Sequence, residues 1–292
     1  MFKNINIGVI YMLISALCFA VMGVFSKLLS QNLSSLEVVF FRNLIGVALI
    51  YISVVKSPLK SIGGKPFLLF LRGFIGFLAL LAFFYNIANI PLANAMIFSQ
   101  TSPIFTAMFA YIFLKERIGS IGWMAILVGF FGLILFVKPD IGFSKTDLLG
   151  IFSGLGGGLA YTSIRELKKY YDTRSIVLSF MIVGSVGPLF LMLLAEIYQN
   201  QSLDFMLSPF VMPTKFDILY IAGMGFFATI AQVYMTKSYG VSKAGIVAPV
   251  SYANIPFSML FGWFLGDVFP DGIAFIGIFL IIFAGVLISK SK

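Results

Sequence analysis

Apolar residues run along this chain in long blocks separated by short charged punctuation. Uncharged runs occupy residues 4–26, 43–55, 73–114, 118–137, 148–164, 175–195, 218–236, 244–266 and 272–289. A helix needs about 20 residues to cross the roughly 30 Å hydrocarbon core, so most of these blocks are single spans. The run 73–114 is long enough for two spans, hinged at Asn89, Ile90 and Pro91. The run 43–55 is too short for one, so its helix must reach back to about Leu36 and carry Arg42 inside it. Ten transmembrane helices result. The first run reads as a span rather than a cleavable signal, because no small-residue cleavage pattern follows its apolar part.

Two of these blocks are interrupted by polar residues. Pro91 to Ile118 carries Ser99, Gln100, Thr101, Ser102 and Pro103 near its centre and closes on Lys115, Glu116 and Arg117. Those central residues would sit at bilayer depth, where an unpaired polar group is expensive. Pro103 has no N–H, so the Ser99 carbonyl loses its helical partner. Such a break is tolerated against protein or beside a watery cavity, which makes it a candidate substrate element. The alternative is a proline kink whose Ser and Thr hydroxyls bond back onto the backbone. Val241 to Asp267 is interrupted in the same way, by Pro249, Ser251, Tyr252, Asn254 and Pro256.

The two halves also match in register. Gly8–Lys27 and Gly150–Lys169 align without gaps, pairing Leu17 with Leu159 and Phe19 with Tyr161. Ala93 and Ala244 each precede an acid by the same interval, Glu116 in one half and Asp267 in the other. Five helices per unit is an odd number, so the second copy crosses the membrane in the opposite sense. This predicts two inverted five-helix repeats, residues 1–139 and 140–292, with the substrate site near the midplane between them.

Composition supports the membrane reading. The 292 residues are 60% hydrophobic and only 11% charged, against about 25% charged in a soluble domain. The net charge of +9 is a topology signal rather than a nucleic-acid footprint. With the N-terminus in the cytoplasm, 15 of the 20 basic residues, Lys65 and Arg72 among them, fall on cytoplasmic segments. The opposite side holds most of the acids, as the positive-inside rule requires of ten helices with both termini cytoplasmic. The single cysteine, Cys18, lies within the first span. Histidine is absent, as are paired carboxylates at bilayer depth, so the chain has no catalytic or metal-binding constellation and no cofactor is implied.

The double five-helix plan, the stretch Phe40-Phe41-Arg42-Asn43, the Ser99–Pro103 segment and the Leu-Lys-Glu ending together resemble the drug/metabolite transporter superfamily, EamA type. The resemblance covers nearly the whole chain. It implies an all-α integral membrane protein that carries amino acids, other metabolites or drugs across the inner membrane, often outward. Asp267 and Asn254 depart from that pattern, standing where a glutamate and a proline are expected.

Arg42 is the most unusual single residue, because a cation inside a span normally has a task or a partner. Two readings are open: it attracts a carboxylate or phosphate on the substrate, or it pairs with Glu37 or helix-end carbonyls and snorkels outward. Glu37, near the mouth, reads as a solvated interfacial acid. A cavity between spans three, four, six, eight and nine is expected to be lined by Ser99, Gln100, Tyr161, Gln232, Tyr252 and Asn254, with Tyr85 and Tyr234 as further candidates. Each tyrosine is also readable as part of an interfacial aromatic belt, a reading favoured for Tyr239. Gly154, Gly156, Gly157 and Gly158, and the Gly262/Gly266 pair, read as close-packing positions.

The expected activity is secondary active transport of small organic metabolites, amino acids or related compounds, outward and by alternating access, from a monomer or homodimer in the lipid bilayer. An uptake or exchange carrier for an anionic metabolite, using Arg42 and Lys27 as charge anchors, is the alternative within transport. A non-transporting membrane scaffold is the alternative from another class.

Overall fold

The computed structural model describes residues 7–59, 62–115, 119–137, 144–198, 203–242, 247 and 249–290. Among these residues the regular structure is entirely helical. The helices are α1 (Ile7–Leu29), α2 (Ser35–Lys56), α3 (Pro66–Asn89), α4 (Leu92–Ser99), α5 (Ser102–Leu114), α6 (Ser120–Val137), α7 (Lys145–Leu167), α8 (Thr173–Ala195), α9 (Lys215–Val241), α10 (Asn254–Phe264) and α11 (Gly272–Lys290). A 3₁₀ turn, Pro249–Ala253, leads into α10. Six helices are long and apolar enough to cross a membrane: α1, α2, α3, α4 and α5 taken together, α8 and α9. α6 and α11 contain shorter apolar helices.

Large apolar side chains such as Leu127, Phe131, Phe190, Leu193 and Phe279 are exposed around the bundle. Surface of that kind and extent belongs against lipid rather than water. Charged and polar ties collect at the helix ends. Lys27, Glu37, Lys145, Asp204, Asp217 and Asp267 meet one another or nearby backbone at one end. At the other end Lys65 meets Glu166, and Arg174 donates to the carbonyls of Ser53, Ser57 and Pro58.

Helix partners are exchanged between the halves. α1 packs chiefly on α9 and α3 on α7, while α2 packs on α8 and α6 on α11. Small residues allow the closest approaches. A Cβ on Gly132 would lie 2.8 Å from the Gly277 carbonyl, and one on Gly156 would lie 2.8 Å from the Ala79 Cβ. The two interrupted segments also end alike, since Lys115 (φ 54°) and Gly266 (φ 88°) occupy matched positions and both take left-handed backbone.

Three expectations are corrected here. Arg72 does not lie in a loop: Pro66 opens α3, which places Arg72 almost two turns inside the helix and buries it. Proline is well suited to the first helical turn, where its missing N–H has no partner to lose. Glu37 is not solvated. It completes a capping box with Ser34 and accepts from the Val211 N–H at 2.7 Å, tying the 203–214 segment to the start of α2. Gly266 is not a packing residue, since nothing lies within 4 Å of a Cβ there. It ends α10, as the Asp267 N–H reaches back to the Gly262 carbonyl. Glu116, Arg117 and Ala244 lie outside the described residues.

Candidate functional site

The first interruption is a real break between two helices, and the second contains the 3₁₀ turn Pro249–Ala253 ahead of α10. α4 stops at Ser99 and α5 starts at Ser102, with Gln100 and Thr101 forming the turn between them. The Ser99 carbonyl, orphaned by Pro103, accepts from the Ser102 hydroxyl at 2.5 Å. Thr101 and Thr106 likewise bond back to the carbonyls of Phe98 and Ser102, both at 2.7 Å. The break is therefore satisfied largely by its own hydroxyls, and α7 lies close against it. A Cβ on Gly157 would lie 2.6 Å from the Ser102 hydroxyl.

Opposite, Ser251 donates to the Gln100 Oε1 at 3.0 Å and so links the two broken segments directly. Asn254 donates to the Ala16 carbonyl at 2.9 Å and receives a 3.3 Å bond from Ser258, which fixes the start of α10 on α1.

A cavity of about 110 Å³ lies at this crossing. Its walls come from α1, α2, α3, the α4–α5 break, α7, α8, α9 and the start of α10. One apolar cluster, with Leu29, Phe84, Leu92 and Met224, lies towards one end of the bundle. A second, with Ile164, Leu167 and Ile176, lies towards the other. Both include residues of the cavity wall, Met22 and Phe83 in the first and Met12, Met235 and Tyr239 in the second.

Six of the expected residues line it: Arg42, Ser99, Gln100, Tyr161, Gln232 and Asn254. Three lie elsewhere. Tyr252 is buried in the cluster formed with Ile97, Phe98 and Ile281. Tyr85 is at a helix end, where it donates to Asp204 at 3.2 Å and lies beneath the Lys145 ammonium. Tyr234 packs against Tyr11 and beneath Lys237. Tyr239 is not a belt residue, because it is buried, stacks on Tyr161 at 5.8 Å and lines the cavity. Lys27 is spoken for outside the cavity, donating to the Ile90 carbonyl at 2.7 Å and pairing with Asp267. Asp267 in turn accepts the Leu92 N–H at 2.7 Å, placing a negative charge at the start of α4.

The sequence reading missed one lining residue of consequence, Arg72. The signal that finds it is Pro66, which marks the helix start ahead of the uncharged run. Arg42 and Arg72 are only 1% and 2% exposed, and both guanidinium groups lie over the Phe180 ring, at 5.5 and 4.4 Å from its centroid. Arg42 donates to the Asn43 Oδ1 at 2.8 Å and does not pair with Glu37. Its Nε has no partner, and neither do the Nε and one terminal nitrogen of Arg72. The lining contains no carboxylate. A cation–π contact returns about 2 kcal/mol when desolvated, whereas burying an ion costs several. The two arginines are therefore undercompensated.

The N-terminal part of the chain, residues 6–138, matches the EamA-like transporter family. Over 98% of this chain and 96% of the relative, it is 35% identical to an uncharacterized transporter of Helicobacter pylori strain J99. The same shares of both chains match the pseudopaline exporter CntI of Pseudomonas aeruginosa strain UCBPP-PA14 at 32% identity. The chain belongs to the EamA-like transporter family. A more distant relative, 24% identical over 98% of this chain and 93% of its own length, is the S-adenosylmethionine uptake transporter of Rickettsia prowazekii strain Madrid E. This EamA-like protein is thus a multi-pass membrane transporter and not an enzyme.

Proposed function

We propose that the protein is a secondary transporter that exports a small organic metabolite, an amino acid or related compound, across the cytoplasmic membrane by alternating access. The observation that carries this reading is the cavity at the crossing of the two broken helices, with apolar clusters towards both ends of the bundle. Secondary transporters place their sites at such crossings, where discontinuous helices supply backbone and side-chain partners at mid-membrane. Gln100, Ser99, Tyr161, Gln232 and Asn254 form its polar and aromatic lining, and export follows the more similar of the two relatives of stated direction.

The architecture belonging to this reading is ten spans in two inverted repeats, 1–139 and 140–292, with both termini cytoplasmic. The exchange of partners between α1–α9 and α3–α7, and the matched left-handed ends at Lys115 and Gly266, support it. The cavity is walled by a single chain, so a monomer suffices and a homodimer would carry two sites.

The test is flux in proteoliposomes loaded with labelled amino acids, nucleosides and organic acids, for wild type and Gln100→Ala. At least one solute should move in wild type and move at least tenfold more slowly in the variant. A folded wild type that moves none of them would sink the reading.

A further inference from the structure

Taken together, the unpaired groups facing the cavity share one property. The Nε of Arg42, the Nε and a terminal nitrogen of Arg72 and the Nε2 of Gln232 are all buried donors without an acceptor. Two of these side chains carry full positive charges, and both are steered towards one small volume by the same Phe180 ring. The Asn43 Oδ1 takes one Arg42 nitrogen and holds its fork in place, while Asn43 is itself anchored on the carbonyls of Val39 and Gly184. Two like charges in a low-dielectric pocket repel, and each guanidinium offers a planar fork matched to a carboxylate or phosphate. Lys27, at a helix end, has by contrast found partners in Asp267 and the Ile90 carbonyl. The arginine pair is built and left open.

We infer that the cavity takes an organic anion whose carboxylate is held between Arg42 and Arg72, with its apolar body against Phe19, Phe83 and the Tyr161–Tyr239 stack. This rests on the transport reading and names the charge of the cargo. Arg72, from the α3 wall, and Arg42, from the α2 wall, approach the anion from different helices, so relative motion of those helices changes how tightly it is held. That dependence is what a carrier needs, since a ligand drives a conformational change only through differential affinity for the two states.

The experiment uses the full chain in phosphatidylcholine nanodiscs, so that no anionic headgroup competes. Thermal unfolding is followed with phenylsuccinate, which carries two carboxylates on an apolar ring, and with its uncharged diamide. A bound ligand raises the unfolding temperature by mass action. Wild type is expected to bind phenylsuccinate at least tenfold more tightly than the diamide. Arg42→Gln and Arg72→Gln are each expected to lose at least tenfold of that affinity. Without ligand, Arg72→Gln should unfold no lower than wild type, because removing an uncompensated buried charge is neutral or favourable.

Equal binding of anion and diamide, or undiminished anion binding by both variants, overturns the inference. So does a ligand-free Arg72→Gln that unfolds well below a wild type insensitive to phenylsuccinate, since the arginines would then serve the fold. Flux in proteoliposomes separates this from the transport reading. Movement of a neutral solute that is indifferent to both substitutions overturns the anion site and leaves transport standing. Intact anion binding with no flux of any solute does the reverse.

Discussion

Ser102 shows how a single hydroxyl makes a break in a membrane helix affordable. Pro103 removes the N–H that would have served the Ser99 carbonyl, and the Ser102 Oγ serves it instead. Ser102→Ala should therefore destabilise the protein by about 1 kcal/mol, the usual net contribution of one hydrogen bond. Reversible unfolding in mixed micelles would measure it, and an unchanged stability would mean that cavity water reaches that carbonyl. Residue-scale chemistry of this kind was legible in the sequence, since a proline four places after a carbonyl states the problem and the adjacent serine the solution. Arg42 was legible as an anomaly but not as one half of a pair. Arg72, which shares the Phe180 ring and the cavity wall with it, is thirty residues away and was hidden at the edge of a charged stretch, where a helix start two turns earlier changes its surroundings from water to protein.

At the scale of elements, α7 is held closely by its neighbours. Its glycine face lies against the break, where a Cβ on Gly154 would sit 2.8 Å from the Phe98 carbonyl and also strike the Thr101 hydroxyl. A backbone carbonyl cannot swing aside as a flexible side chain can. Gly154→Ala should thus cost on the order of 1–3 kcal/mol through overpacking. Gly272→Ala, with nothing within 4 Å of the new carbon, is the control and should be close to neutral. Unfolding of the two variants side by side checks the contrast, and equal effects would refute the packing role. Close packing was the expectation for the α7 glycines and holds there, but the same expectation failed at Gly266. Both kinds of glycine look alike in a sequence, because spacing does not report whether φ is positive or a neighbour is near.

For the molecule as a whole, the cavity lies between two apolar clusters and two sets of charged ties. Lys27 and Asp267 mark one end, and Lys65 and Glu166, 2.7 Å apart, mark the other. If alternating access operates, each end must part in turn, and locking either should stop the cycle. In a Cys18→Ser background, the pairs Lys27→Cys/Asp267→Cys and Lys65→Cys/Glu166→Cys should each reduce flux at least tenfold when cross-linked by a short reducible reagent. Reduction should restore it. A cross-linked pair that transports normally would put the moving parts elsewhere.

The sequence by itself determined that this is a helical membrane protein with two interrupted segments and an arginine inside a span. Those properties depend on local composition and period, which the bilayer reads one segment at a time: an apolar block of sufficient length enters, and a proline within it leaves one backbone carbonyl without its helical partner. Tertiary structure alone decided which polar residues share a cavity and which are already satisfied. Tyr252 and Tyr85 are as polar as Tyr161, yet one is enclosed in an apolar cluster and the other is held at a helix end by Asp204. Lys27 and Arg72 are both cations at the margins of uncharged runs, but only Lys27 meets a carboxylate. Partnership of that kind is set by contacts between helices far apart in the chain, and nothing in the spacing along one helix encodes what the next will bring to its side.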